Sequence, residues 1–318
     1  MAERLIEVKG LRVQFATEDG IVRAVDGVDF ELDRGQVLGI VGESGSGKSV
    51  TAMTLLGLTR DRNTRFEGEV LYKGRNVLAM NEDELQEVRG NEMSMIFQDP
   101  MTSLNPVYSI GAQICEAIQV HDRADKATAR RRAIDLLKQV GIPNADSRVD
   151  NYPHQLSGGM RQRAMIALAI SCKPSLLIAD EPTTALDVTV QAQILELIAH
   201  LRDETGCSFV LVTHDLGVAA QIADRIAVLY AGRLAEVGTS ASVLGTAAHP
   251  YTEGLLRSRL TLEAPRERPL PTLEGEPPDP RHHPAGCAFA PRCDSAFGRC
   301  RVEAPPFADG VACWLEGP

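Results

Sequence analysis

A chain of 318 residues has room for two domains, or for one large domain with an appendage, and its 44% apolar content suits an ordinary packed core. The formal net charge of −10 excludes a nucleic-acid binder that works by counterion release, which needs clustered Lys and Arg. No apolar signal stretch opens the chain, and the longest apolar runs, such as "AMIALAI" at 164–170, are too short to span a bilayer, so a soluble protein of the reducing cytosol is expected.

In chain order, Leu11, Val13 and Phe15 alternate as on a strand, and "VDGVDFEL" follows at 25–32. "QVLGIVG" at 36–42 is a near-continuous apolar run ending in glycine, the pattern of a buried parallel strand. A helix is predicted from about Lys48. Residues from about 99 to 162 are helical in pattern, with "IGAQICEAIQV" and "ARRRAIDLLKQVG" both repeating near 3.6 residues. The basic run inside the second, "ARRRA" at 129–133, reads as a solvated helix face. "SLLIAD" at 175–180 and "SFVLVTHD" at 208–215 read as buried strands flanking a helix over 190–206. Strands alternating with helices predict an α/β fold whose parallel sheet is covered on both faces. Beyond about residue 258 the chain turns proline-rich and becomes an arm leading to a cysteine-rich end, so domains of 1–258 and 259–318 are expected.

"GESGSGKS" at 42–49 fits G-x-x-x-x-G-K-S between a buried strand and a helix, the setting that a phosphate loop requires. Gly42, Gly45 and Gly47 let the backbone N–H groups of the loop, which also holds Glu43, Ser44 and Ser46, turn toward a polyphosphate. Lys48 would neutralise the β- and γ-phosphates, and the Ser49 hydroxyl would ligate Mg²⁺. "SLLIAD" followed by Glu181 is an apolar strand ending in two carboxylates, with Asp180 suited to Mg²⁺ and Glu181 to polarising a water. "LSGGMRQR" at 156–163 opens an apolar helix on a glycine pair, a second place for an anion.

Taken together, over about residues 5–255, these motifs resemble the ATP-binding cassette (ABC) ATPases, P-loop NTPases with a RecA-like parallel-sheet core and an inserted helical subdomain. The resemblance implies that Gln98 in "MIFQDP" senses the γ-phosphate and contacts Mg²⁺, and that His214 is the switch histidine. It makes Asp187 in "TALD" part of a dimer interface, and Ser157, Gly158 and Gly159 contacts to ATP bound by the opposite subunit. Phe15 lies where the family stacks an aromatic ring on adenine, although its alternation with Leu11 and Val13 equally suits the core. Met160 stands where the family commonly has Gln.

"ESGSGKS", "QDPMTSLNP", "SGGMRQRAMIALA" and "HPYTEGLL" narrow the resemblance to the ATP-binding subunits of bacterial oligopeptide and dipeptide importers. That implies two membrane permease subunits, a second ABC ATPase subunit (a homologue more often than a copy), an extracytoplasmic solute-binding protein, and a peripheral place on the cytoplasmic face of the inner membrane. An importer for another small solute, such as a nickel or other metal chelate, stays open. So does a non-transport ABC ATPase, which the acidic charge and the single cassette disfavour.

Cys115, Cys172 and Cys207 are scattered and read as small hydrophobes, whereas Cys287, Cys293, Cys300 and Cys313 are spaced C-x5-C-x6-C-x12-C. In a reducing compartment such a group suits metal over disulfides, and the short knuckles that zinc favours are missing. The resemblance implies a 4Fe–4S cluster on these four, with Zn²⁺ or no metal as alternatives.

Overall fold

The computed structural model describes residues 3–184, 186–258 and 273–316. Among the described residues, ten strands are laid out in chain order: β1 (Arg4–Thr17), β2 (Gly20–Asp33), β3 (Val37–Val41), β4 (Thr64–Tyr72), β5 (Arg75–Asn76), β6 (Met93–Ile96), β7 (Leu176–Asp180), β8 (Ser208–Thr213), β9 (Arg225–Tyr230) and β10 (Arg233–Thr239). They form two sheets. One is antiparallel in the order β2-β1-β4-β5; the other runs β10-β9-β3-β8-β7-β6 and is parallel throughout except for the antiparallel edge strand β10.

The apolar runs of β3, β7 and β8 leave every residue of the three strands buried, because each face meets a different core. Val37 and Val41 of β3, Leu177 and Ala179 of β7, and Phe209 and Leu211 of β8 enter the core shared with the helices. The alternate residues Leu38 and Ile40, Leu176 and Ile178, and Val210 and Val212 enter a second core closed by the antiparallel sheet. Such two-sided burial pins the strand ends, where the polar residues of the site emerge.

Between β6 and β7 the chain makes helices Ile110–Asp122, Lys126–Gln139 and Gly158–Ala169, with shorter turns at Pro100–Ser103 and Ala145–Arg148. Ser109 and Asp125 cap the first two by accepting from the amides of Ala112 and of Ala127 and Thr128. Among the described residues, no helix is long and apolar enough to cross a membrane.

The sequence pattern located β1, β2, β3, β7 and β8 but passed over β4, β5, β6, β9 and β10. β6 has only four residues, and β4 carries Arg65, Glu67 and Glu69 around Gly68, so neither gives a clean alternation. Residues 273–286 lack regular structure, and the expected arm over 259–272 lies outside the described residues. The end of the chain then packs back on the cassette: Val237 N–H donates to Gly310 O (2.7 Å) and Ala312 N–H to Ala235 O (2.9 Å), extending the β10 edge.

Candidate active site

The phosphate loop leaves β3 at Val41 and enters helix Lys48–Leu55 through Gly47, whose φ of 96° lies in the left-handed region. A Cβ there would stand 2.4 Å from the Ala24 carbonyl oxygen, so only glycine closes the turn. No side chain caps this helix, which leaves its first-turn amides free for an anion. Ser46 Oγ is buried without a partner among the described residues. An orphaned hydroxyl beside an uncapped helix is costly unless a polar ligand satisfies it, and a polyphosphate fits that requirement.

Lys48 is 5% exposed, and its Nζ donates to the carbonyls of Gly42 (2.8 Å) and Glu43 (2.9 Å). Burial lowers its pKa below the ordinary lysine value, opposed by the charges of Glu181, Asp180 and Glu43. Asp180 ends β7, also buried, and accepts from Ser49 Oγ at 3.0 Å. Burial raises its pKa; the Ser49 hydrogen bond opposes the rise and the neighbouring Glu181 adds to it. Two buried groups of opposite charge, neither ideally solvated, suit a site completed by a ligand with both anionic oxygens and a cation.

Glu181 follows directly, with a φ of 46° that is uncommon for a residue bearing a side chain. Its Oε2 accepts from Gln98 Nε2 (3.2 Å) and Thr184 Oγ1 (2.8 Å), and lies 3.3 Å from His214 Nδ1. The carboxylate can only accept, so His214 carries its proton on Nδ1 in this contact. His214 is open to solvent while Glu181 is largely covered. Glu43, Ser44, Gln98, Glu181 and His214 line a cleft of about 810 Å³ together with Leu255, Ser258, Leu273 and Pro277.

Lys48, Ser49, Gln98, Asp180, Glu181 and His214 thus converge. Ser157 and Gly158 do not. They are exposed at the start of helix Gly158–Ala169, where Ser157 Oγ accepts from Met160 N, and neither borders the cleft. Gly159 faces helix Val188–Thr205, where a Cβ would stand 3.0 Å from Val190. Met160 takes up contact with Arg148 (3.0 Å). Asp187 caps helix Val188–Thr205 through Val190 N, and Ala185 in the same motif lies outside the described residues. Phe15 is half-buried on β1 against the core between the sheets, a position that keeps both of its readings open.

Three participants escaped the sequence reading. Thr184 reaches Glu181, Tyr251 Oη accepts from Glu43 N (2.9 Å), and Arg292 pairs with the Glu43 carboxylate. Thr184 opens "TALD" and Tyr251 lies within "HPYTEGLL", but neither motif pointed to these contacts. Tyr251 and Arg292 lie more than 200 positions from Glu43.

Cys115 is half-buried and Cys172 and Cys207 are buried, and burial pushes the Cys207 thiol up to about 12. Cys287, Cys293, Cys300 and Cys313 line one cavity together with Phe289 and Trp314. Burial raises the pKa of Cys287, Cys293 and Cys313, against which act the amides of Phe289 and Ala290, of Ser295, and of Leu315 and Glu316 respectively. Among the described residues, no three His, Cys, Asp or Glu side chains are arranged to hold a metal ion, so the four thiols share a cavity without forming a ligand set.

Residues 25–184 match the ABC transporter family, and residues 235–300 match the oligopeptide/dipeptide transporter C-terminal region. The dipeptide transport ATP-binding protein DppD of Lactococcus lactis is 51% identical over 306 residues, covering 96% of this chain and 87% of that protein. The oligopeptide transport ATP-binding protein OppD of Bacillus subtilis is 50% identical over 321 residues (99% and 90%), and DppD of Escherichia coli 50% over 310 (96% and 94%). Among solved structures, the dimeric MJ0796, a bacterial ABC transporter cassette, has a TM-score of 0.67 at 28% identity, over 74% of this chain and 99% of that one. The same cassette in a post-hydrolysis state bound to ADP and Pi matches equally well. With these matches over nearly its whole length, the chain belongs to the ABC transporter family, among the ATP-binding subunits of oligopeptide and dipeptide importers.

Proposed function

We propose that this chain hydrolyses ATP to drive uptake of dipeptides or oligopeptides through two permease subunits, docked at the cytoplasmic face of the membrane. The observation that carries the reading is that Gln98, Glu181 and His214 line one cleft and meet at the Glu181 carboxylate, while the paired Ser49 and Asp180 and the charge of Lys48 stand next to it. The names of the 50%-identical relatives supply the peptide substrate class.

In this reading the loop amides, Ser46 Oγ and Lys48 hold the triphosphate, with Lys48 exchanging its two carbonyl acceptors for phosphate oxygens. Ser49 and Asp180, already paired at 3.0 Å, would hold Mg²⁺ with Gln98, and the metal would supply charge neutralisation on the phosphates. Glu181 takes a proton from the attacking water. Its three donors orient the carboxylate, and Gln98 and His214 can let go of it to meet the nucleotide. Ser157 and Gly158, exposed at a helix start, and the half-buried Gly159 beside them serve a second ATPase subunit, so hydrolysis waits for the pair to close. Asp187 would shape that interface, and Phe15 would stack on adenine. The domain limits 1–258 and 259–318 belong to the same reading, as does an extracytoplasmic solute-binding protein that delivers the peptide.

For the tail, the reading is a 4Fe–4S cluster on Cys287, Cys293, Cys300 and Cys313, whose thiols line one cavity; iron would have to displace the protons that burial holds on Cys287, Cys293 and Cys313. Bound there, it would staple a segment too poor in apolar residues to fold on its own core. Iron and acid-labile sulfide in anaerobically purified protein would support it; one zinc per chain and no colour would replace it with a zinc site.

Uptake of a labelled dipeptide into vesicles carrying the assembled complex tests the main reading. ATP-dependent uptake that vanishes with Lys48→Ala is expected. Undiminished nucleotide binding by that variant would remove the phosphate-loop assignment.

A further inference from the structure

Glu43 is an acidic residue inside a loop whose proposed task is to bind a polyphosphate, and that placement is unfavourable by itself. A carboxylate within a few ångströms of phosphate repels it, the more so where protein screens it from water. The fold answers the charge from the far end of the chain. Arg292 Nη1 and Nη2 meet the two Glu43 carboxylate oxygens at 2.6 and 2.9 Å, a two-pronged pair with Arg292 only 4% exposed.

All five guanidinium donors of Arg292 are engaged. Beyond the two on Glu43, Nη1 donates to Tyr230 Oη (3.2 Å), Nη2 to Leu273 O (3.3 Å) and Nε to Glu274 O (2.9 Å). Its plane also lies near the rings of Tyr230 and Phe289. Gly275, with a φ of 78°, lies against the arginine stem, where a Cβ would stand 3.3 Å from Arg292 Cγ. Glu43 is held just as fully: its carboxylate by Arg292, its amide by Tyr251, and its carbonyl by Lys48. A chain of direct contacts therefore runs from the cysteine-bearing tail, through Arg292 and Glu43, to the lysine of the phosphate loop.

We infer that Arg292 is a positioning residue for the phosphate loop: by neutralising and fixing Glu43, it makes ATP binding depend on the docked tail. The inference rests on the reading that ATP binds at residues 42–49. An anchor that merely tied down the tail would need no acidic partner inside the loop, since the backbone pairing along β10 and the Tyr230, Tyr251 and Phe289 cluster already hold the tail. Coupling of this kind is reciprocal, so ATP must strengthen tail docking by the factor by which docking strengthens ATP.

The test uses the full-length chain and ATP, with affinity measured by calorimetry and tail docking by amide hydrogen exchange. Arg292→Ala should weaken ATP about tenfold. Adding Glu43→Gln to that variant should bring the affinity back to within about threefold of the starting chain, because the uncompensated charge is gone. ATP should slow exchange over residues 287–300 in the unaltered chain and leave it unchanged in Arg292→Ala. Unaltered ATP affinity in Arg292→Ala overturns the inference. So does a double variant as weak as the single one, which would mark the loss as tail unfolding. An unaltered chain that bound no ATP would sink the ATP-site reading itself, and this inference with it.

Discussion

Glu181 and Asp180 stand side by side at the end of β7, yet their surroundings separate their tasks. Asp180 is buried against Ser49, its pKa raised by that burial, while Glu181 turns through a φ of 46° into the cleft and meets three donors. Glu181→Gln keeps the size but removes the base, so phosphate release by the assembled complex should fall by roughly 10²–10⁴-fold while ATP still binds. Turnover at the normal rate in that complex would take the base away from Glu181. Asp180→Asn makes the opposite point about stability. Its amide oxygen still accepts from Ser49, and the cost of a buried charge disappears. The nucleotide-free chain should therefore melt roughly 2–4 °C higher, while its stabilisation by Mg²⁺ and ATP is lost. A lower melting point would mean that the Asp180 charge is well paired without ligand. These residues were legible in the sequence because each sits within a few positions of a strand end that the apolar runs mark. Arg292, 249 positions from Glu43, carries no local signal, and only the folded chain brings the two together.

At the scale of elements, burial on both faces made β3, β7 and β8 readable, whereas short β6 and charged β4 owe their state to the neighbours they pair with. The tail followed the same logic: its composition predicts an arm, but its place on the β10 edge comes from backbone pairing that side chains do not announce. His249, where β10 meets helix Pro250–Arg257, ties that edge to the tail. Its Nδ1 accepts from Tyr251 N (3.0 Å), leaving the other ring N–H for the Ala312 carbonyl. Burial holds its pKa at about 4 against an ordinary 6.5, so the unfolded chain binds more protons between those values. Stability from this group is complete above pH 6.5 and falls as pH drops toward 4, by about 3 kcal/mol in all. Denaturant unfolding at pH 7 and pH 4.5 should register the loss, and His249→Gln, which cannot titrate, should flatten it. An equal pH slope in both proteins would place the acid sensitivity elsewhere.

At the scale of the whole molecule, the proposed reading makes this chain half of two sites. Its cleft is lined by Glu43 and Ser44 of the phosphate loop, Gln98, Glu181 and His214, while Ser157 and Gly158 open a helix that does not border that cleft. This helix start is exposed to water, and the ABC cassette that this chain resembles was solved as a dimer. The arrangement makes sense when each chain lends its exposed helix start to the other's nucleotide. On the proposed reading, hydrolysis would report closure of the pair to the permeases. Ser157→Arg separates this from a role within the chain. The substitution lies on the surface at a helix cap, so it should cost about 1 kcal/mol of stability or less, and the isolated chain should bind ATP as before. In the assembled complex the long side chain should block closure, and phosphate release should drop at least about tenfold. Combined with Glu181→Gln, it should also abolish the ATP-locked pair that Glu181→Gln alone is expected to form, read as a loss of the dimer peak by light scattering. An isolated chain that lost ATP affinity with Ser157→Arg, or a complex that hydrolysed at full rate, would return these residues to a purely structural capping role.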